Sequence, residues 1–316
     1  MKQLRFALTL LFLSTWALPG LADAEKPVRC SARMAYEGAP LYSGPVELPA
    51  ADFALGTLAF PDPVRGALSA AVEEARKLTG APALTAAVGD RTGFFETADD
   101  RVFYWASVGK AVTATVTLQL VAEGKLSLDA PLAKWFPKYP HAALITIDDL
   151  LSHTSGLFSA NEDRQVRDKP RYRTPEESIA IAKKHGALFC PGQNWRYSNT
   201  GYTFLGLILE AVEGRPYGEI AAARIFRPLS LASLRAVSPE DPLTDLAPLT
   251  PKPGGEAVAM SPSWAYAAGN VVGRAGDLLR LWHALLTGKL LSRDDTAARF
   301  RSLYPMFDSG TFYGRG

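Results

Sequence analysis

Ser107 and Lys110 stand three positions apart, so a helix carrying both would present their side chains on one face. A hydroxyl beside an amine is a nucleophile beside a base, and the chemistry it suggests is acyl transfer. Lysine is a poor base at its ordinary pKa, but burial and the positive end of a helix dipole both favour its neutral form. A neutral Lys110 could take the proton from Ser107. Ser-x-x-Lys arises about once by accident in a chain of this length, so its weight comes from its setting. The pair follows the aromatic run Phe103-Tyr104-Trp105 and opens an apolar stretch from Ala111 to Ala122, with Gly124 in the usual place past a helix end. The first N–H groups of a helix lack partners within it. An acyl oxygen at Ser107 could accept one of them as negative charge develops, which is half of an oxyanion hole.

Several elements must surround this helix. Residues 25–61 are rich in proline and glycine and read as an extended arm. Asp62 is expected to cap a helix with Pro63 at its first position and one apolar face of Val64, Ala67, Leu68, Ala71, Val72, Ala75 and Leu78. Leu84 to Val88 and Phe94 to Thr97 read as a hairpin packed on it. Asp148 or Thr146 can cap a short helix ending at His153, and Thr174-Pro175-Glu176-Glu177 is a capping box for a helix that Gly186 stops. The charge-dense residues 161–173 read as a mobile surface loop. Apolar helices follow over Tyr202 to Val212 and Tyr217 to Phe226, then an irregular loop over 238–256 and a last clear helix from Asp277 to Leu286.

With 316 residues, 47% of them hydrophobic, the chain can bury a substantial core. Its formal net charge is +2, and no basic block or aromatic-basic stripe points to nucleic acid. Lys2 and Arg5 precede the apolar run Phe6 to Leu18, and Ala22-Asp23-Ala24 has the form of a secretory cleavage site. We expect residues 1–24 to be a signal peptide, the mature protein to be periplasmic or secreted, and no later segment to span a membrane. Cys30 and Cys190 are the only cysteines, and the sequence leaves open whether they pair. No Cys or His spacing suggests a metal site, and nothing calls for a cofactor.

Taken together, several stretches resemble the serine β-lactamase-like and penicillin-binding family, which includes class C β-lactamases, D-alanyl-D-alanine carboxypeptidases and related esterases. They are Ala106-Ser107-Val108-Gly109-Lys110, Glu123 to Asp129, Leu150 to Leu157, Pro191-Gly192 through Tyr197-Ser198-Asn199-Thr200-Gly201-Tyr202, and Ala267-Ala268-Gly269. The resemblance implies an α/β (α+β) fold, with an antiparallel sheet flanked by helices, an all-helical lobe, and the active site between them. It matches Ser107 to the acylated nucleophile, Lys110 to the family's lysine, and Tyr197 and Asn199 to its Y-x-N element. A phenol beside a lysine ammonium is expected to have a lowered pKa and to shuttle protons. Asn199 would orient Lys110 or bind a substrate amide. Read without the resemblance, Tyr197 and Asn199 are a half-buried aromatic and a turn residue. His153 reads as part of a structural turn, and no histidine is placed as a triad base.

The family's third element, K-T-G or H-x-G on a C-terminal strand, has no counterpart here. Phe312-Tyr313-Gly314-Arg315-Gly316 reads as the start of the first of three C-terminal strands, so residues 62–316 are expected to form a C-terminally incomplete hydrolase domain. The reading is an exported, metal-free serine hydrolase acting on an ester, β-lactam or D-amino peptide. The alternative is an incomplete relative that binds wall peptides or β-lactams without turnover.

Overall fold

The computed structural model describes residues 28–168, 171–250, 255–256, 261–307 and 310–316. The expected signal peptide, residues 1–24, and part of the loop over 238–256 lie outside the described residues.

The centre of the molecule is a helix with almost no exposed face. It is entered through a 3₁₀ turn, Ala106–Gly109, and continues as α2, Lys110–Ala122. Lys110 through Leu118 and Leu120 are all buried. Its threonines lie inside because each finds a partner. Thr115 Oγ1 and Thr117 Oγ1 donate to the carbonyls of Ala111 (2.6 Å) and Thr113 (2.8 Å) one turn back. Thr113 Oγ1 donates to Ala267 O at 2.6 Å and so accepts from Tyr217 OH at 2.7 Å.

The helix preceding it, α1 (Asp62–Thr79), begins one residue earlier than expected: Pro61 is the N-cap and Asp62 the first helical residue, with no side-chain cap. Its apolar stripe buries no residue. The hairpin forms as β1 (Ala87–Gly89) and β2 (Phe94–Glu96), antiparallel with Val88 opposite Phe95. A second sheet has strand order β3-β5-β4, from Phe103–Tyr104, Val271–Gly273 and Arg235–Ala236, all antiparallel. Strand pairing therefore comes as small antiparallel sheets among helices rather than one broad sheet.

The helical body holds α3 (Ile147–Ser152), α4 (Arg164–Asp168), α5 (Pro175–His185), α6 (Asn199–Glu213) and α7 (Tyr217–Ala221), which runs on into a π turn, Ala222–Phe226. Thr146 caps α3 in a reciprocal box with Asp149, and Thr174 caps α5 in the same way with Glu177. Part of the expected surface loop over 161–173 is instead ordered into a 3₁₀ turn, Ala160–Glu162, and α4. After β5 come α8 (Ala275–Leu286), which lies on the first hairpin, and α9 (Arg293–Ala298), a helix without an apolar stripe that Ser292 caps. Of the strand expected over Phe312–Gly316, the structure forms β7 (Thr311–Tyr313), which among the described residues pairs with β6 (Tyr304–Met306). Among the described residues no helix is long and apolar enough to cross a membrane.

The arm is anchored rather than loose. Cys30 and Cys190 form a disulfide with Cα atoms 5.5 Å apart, which closes the question left open by the sequence. Beyond it, Met34 N–H donates to Pro191 O (3.0 Å) and Glu37 N–H to Gln193 O (2.8 Å). Arg33 pairs with the buried Asp149, which Thr146 and Thr154 also bind.

Candidate active site

Strand pairing delivers Ser107. Trp105 prolongs the β3–β5 ladder through its N–H to Val271 O (3.0 Å), and its indole N–H donates to Gly273 O (2.9 Å). The chain then turns sharply, with Ala106 at φ 47°, a left-handed conformation costly for a residue with a side chain. Close packing behind the turn requires Gly269, where a Cβ would lie 2.7 Å from Ala106 O and 3.2 Å from Ser107 N. Ser107 is left exposed at the head of the helix. Its N–H donates to no acceptor among the described residues and is free to receive an oxyanion.

Lys110 is 1% exposed, and its Nζ reaches three acceptors: Ser107 Oγ at 3.2 Å, Asn199 Oδ1 at 2.6 Å and Ala268 O at 2.7 Å. Burial lowers its pKa to about 7. The partners dictate where its lone pair points. An amide oxygen and a carbonyl can only accept, so a neutral Lys110 spends both N–H groups on Asn199 and Ala268. Its lone pair then faces Ser107, the one partner able to donate.

Tyr197 OH donates to Ser107 Oγ at 2.7 Å from the other side. The expectation of a lowered phenol pKa is wrong. Burial raises the Tyr197 pKa to about 12, and the hydrogen bond to Ser107 opposes that only in part. The geometry explains the error: Lys110 Nζ lies 4.7 Å over the Tyr197 ring, while the hydroxyl turns to Ser107. Tyr197 is therefore a protonated donor at rest.

The Asn199 amide is fixed at both ends. Oδ1 accepts from Lys110, Nδ2 donates to Asn161 Oδ1 at 2.8 Å, and its backbone N–H donates to Ser159 Oγ at 2.9 Å. Ser159 Oγ in turn donates to Asn161 Oδ1 at 2.7 Å. Of the two roles expected for Asn199, orienting Lys110 is the one its contacts fill. The structure thus brings all four expected residues together, Ser107, Lys110, Tyr197 and Asn199. It adds Ser159, Asn161 and the Ala268 carbonyl, which the sequence reading missed. The Ser-x-Asn spacing at 159–161 was the available signal, masked by the charged residues that follow. Among the described residues His153 makes no hydrogen bond to Ser107. It caps α3 in the left-handed conformation and packs against Tyr197. Among the described residues no cluster of His, Cys, Asp and Glu could hold a metal ion.

Comparison with known proteins shows what the chain as a whole is similar to. Residues 69–316 match the family model described as Beta-lactamase. The chain is 29% identical over 234 residues to PbpX of Bacillus subtilis (strain 168), covering 72% of this chain and 56% of that one. It is 31% identical over 196 residues to esterase EstB of Burkholderia gladioli, covering 52% of this chain and 49% of that one. It therefore spans about half the length of these curated relatives. Among solved structures, the D-amino acid amidase of Ochrobactrum anthropi SV3 with L-phenylalanine amide superposes with a TM-score of 0.63 at 26% identity, covering 73% of each chain.

Proposed function

The chain belongs to the β-lactamase family, and from that premise we propose that it is a serine hydrolase that works through an acyl-enzyme on Ser107. One observation carries the reading: Ser107 Oγ is held between a buried lysine of pKa about 7 and a protonated phenol. Neutral Lys110 takes the Ser107 proton as Oγ attacks a carbonyl carbon, and the Ser107 N–H receives the developing oxyanion. Tyr197 gives its proton to the leaving group and regains one from Lys110. In deacylation the relay runs the other way, drawing a proton from water and returning one to Ser107. Asn199 holds Lys110 throughout.

The substrate carbonyl is an ester or amide. EstB is named an esterase and the Ochrobactrum protein a D-amino acid amidase, and both fit one acylation machinery. β-Lactams and D-amino peptides belong to the same class of acyl donor. The proposal assigns residues 62–316 to this domain and residues 25–61 to an arm. It extends to export, supported by the leader-like residues 1–24 and by a disulfide suited to an oxidising compartment.

Intact mass spectrometry of the protein from its own host, before and after a fluorophosphonate, tests all of this. We expect one adduct that Ser107→Ala abolishes and an untreated mass lacking residues 1–24. An unmodified wild-type chain that still binds peptides or β-lactams, with Ser107→Ala binding equally, would replace the enzyme by a binding protein.

A further inference from the structure

His153 is buried, lies outside the proton relay, and carries a ring nitrogen, Nε2, with no hydrogen-bond partner among the described residues. A buried polar atom without a partner is a cost, and an aromatic hydrocarbon would fill the same space without it. What imidazole supplies instead is at its other nitrogen. Nδ1 accepts the Ser198 N–H at 3.1 Å, and the His153 carbonyl accepts the Arg196 N–H at 3.0 Å. One residue therefore holds the backbone immediately before and immediately after Tyr197. Its ring also packs on Tyr197, with centroids 4.5 Å apart, and on Tyr202 at 5.3 Å. Tyr202 is fixed by its hydroxyl to Leu151 O (2.9 Å), and its ring lies 5.3 Å from Lys110 Nζ.

The neighbouring residues make this hold necessary. Ser198 is the N-cap of α6, yet its hydroxyl caps nothing and has no partner among the described residues. The start of α6, which carries Asn199, takes its side-chain support at Ser198 from His153. The position also suits histidine: φ is 63° at the end of α3, and histidine is among the few residues other than glycine enriched in that conformation.

We infer that His153 is a positioning residue for the proposed hydrolysis: a neutral, Nε2-protonated imidazole that clamps residues 196–198 and so sets Tyr197 OH on Ser107 Oγ and Asn199 Oδ1 on Lys110 Nζ. It rests on the hydrolase reading for its consequence, though not for its geometry. Displacement of a catalytic group by about 1 Å can cost about a hundredfold in rate. His153→Phe keeps a ring but loses the acceptor. His153→Asn loses the ring but keeps an acceptor oxygen at the same bond separation as Nδ1, and asparagine also tolerates the left-handed conformation.

The test is p-nitrophenyl ester turnover and fluorophosphonate labelling for wild type, His153→Phe, His153→Asn and Tyr197→Phe, and for the His153→Phe, Tyr197→Phe double variant. Histidine ring ¹⁵N NMR on the wild-type chain accompanies it. The expected result is kcat reduced about tenfold to a hundredfold in His153→Phe at little change in KM, and most of the rate kept in His153→Asn. The double variant should lose less than the product of the two single losses, because the clamp acts partly through the Tyr197 hydroxyl and partly through Asn199. Additive losses, or a His153→Phe enzyme as fast as wild type, overturn the inference. An unlabelled wild-type Ser107 would sink the hydrolase reading instead. In that event the NMR still decides the clamp: an Nε2–H tautomer upholds it, and an Nδ1–H tautomer overturns it. The same spectrum decides the matter if His153→Phe does not fold.

Discussion

Replacing Lys110 by methionine separates the cost of burying this lysine from everything else in the site. Its pKa falls from 10.5 to about 7 because the folded protein desolvates the ammonium. The unfolded chain therefore holds a proton that the folded chain releases at intermediate pH. The lysine's penalty is fully present below about pH 7 and fades as pH rises towards 10.5. Integrated between pH 7 and 9, the gain is about 2 kcal/mol, a large part of a typical domain's stability. Lys110→Met loses the hydrogen bonds to Asn199 and Ala268, but that loss is a constant offset. Urea denaturation of both proteins at pH 7, 8 and 9 should therefore show wild type gaining about 2 kcal/mol on the variant across the series. The window stops at 9 because tyrosines such as Tyr197 titrate above it. His153, the nearby imidazole, is pushed well below its ordinary pKa by burial and by Lys110, so it stays neutral throughout. Acylation should follow the same group, with labelling of Ser107 rising about tenfold from pH 6 to 8 as the neutral fraction grows. Stability curves that run parallel from pH 7 to 9 would refute the lowered pKa and, with it, Lys110 as the resting base.

Three further variants probe the surrounding parts. Tyr197→Phe removes the hydroxyl 2.7 Å from Ser107 Oγ but leaves the ring in place, so ester turnover should fall by about a hundredfold or more with the melting temperature nearly unchanged. Gly269→Ala puts a methyl group 2.7 Å from Ala106 O and should slow Ser107 labelling at least about tenfold; an unaffected rate would mean that the turn before Ser107 can move freely. Replacing both Cys30 and Cys190 by serine opens a link across 160 residues, for which chain entropy predicts a loss of up to about 5 kcal/mol, measured by denaturation against the oxidised protein.

What could be read from the sequence was local. The capping box at Thr174 involves residues three positions apart and formed as expected, and of the two caps offered for α3, Asp148 or Thr146, the structure takes Thr146. The head of α2 could be read for the same reason, since Ser107, Lys110 and the apolar run that follows define it within a few turns. Asn161 was missed because its significance lies in a contact with Asn199, 38 positions away, which the Ser-x-Asn spacing by itself does not reveal. The Tyr197 pKa went wrong because proximity to a lysine says nothing about which part of the phenol faces it, and burial proved the larger effect. Periodicity showed that α1 has an apolar face but not what lies against it, and no residue of that helix is buried. For α9 there was no stripe to find, because six residues held by a serine cap carry too little pattern.

The unusual pKa of Lys110 follows from two opposed effects. Burial favours the neutral amine, yet the surroundings offer three acceptors, which is the complement of an ammonium. Without Asn199 Oδ1 and Ala268 O, the buried ammonium would keep only Ser107 Oγ as an acceptor and the amine could hardly hold a proton once it had taken one. Without burial, those acceptors would keep it charged and useless as a base. Held between the two, each form is reachable near neutral pH, and the ammonium formed as Ser107 attacks finds its acceptors already in place. That charge arises during the reaction rather than before it, so the preset acceptors stabilise the transition state more than the resting enzyme. The acceptors come from different segments, the start of α6 and the chain leading into β5. α2 grips the second segment twice, through Lys110 to Ala268 O and Thr113 to Ala267 O. The basicity of Lys110 is in this sense a property of how α2, α6 and the β5 approach pack together.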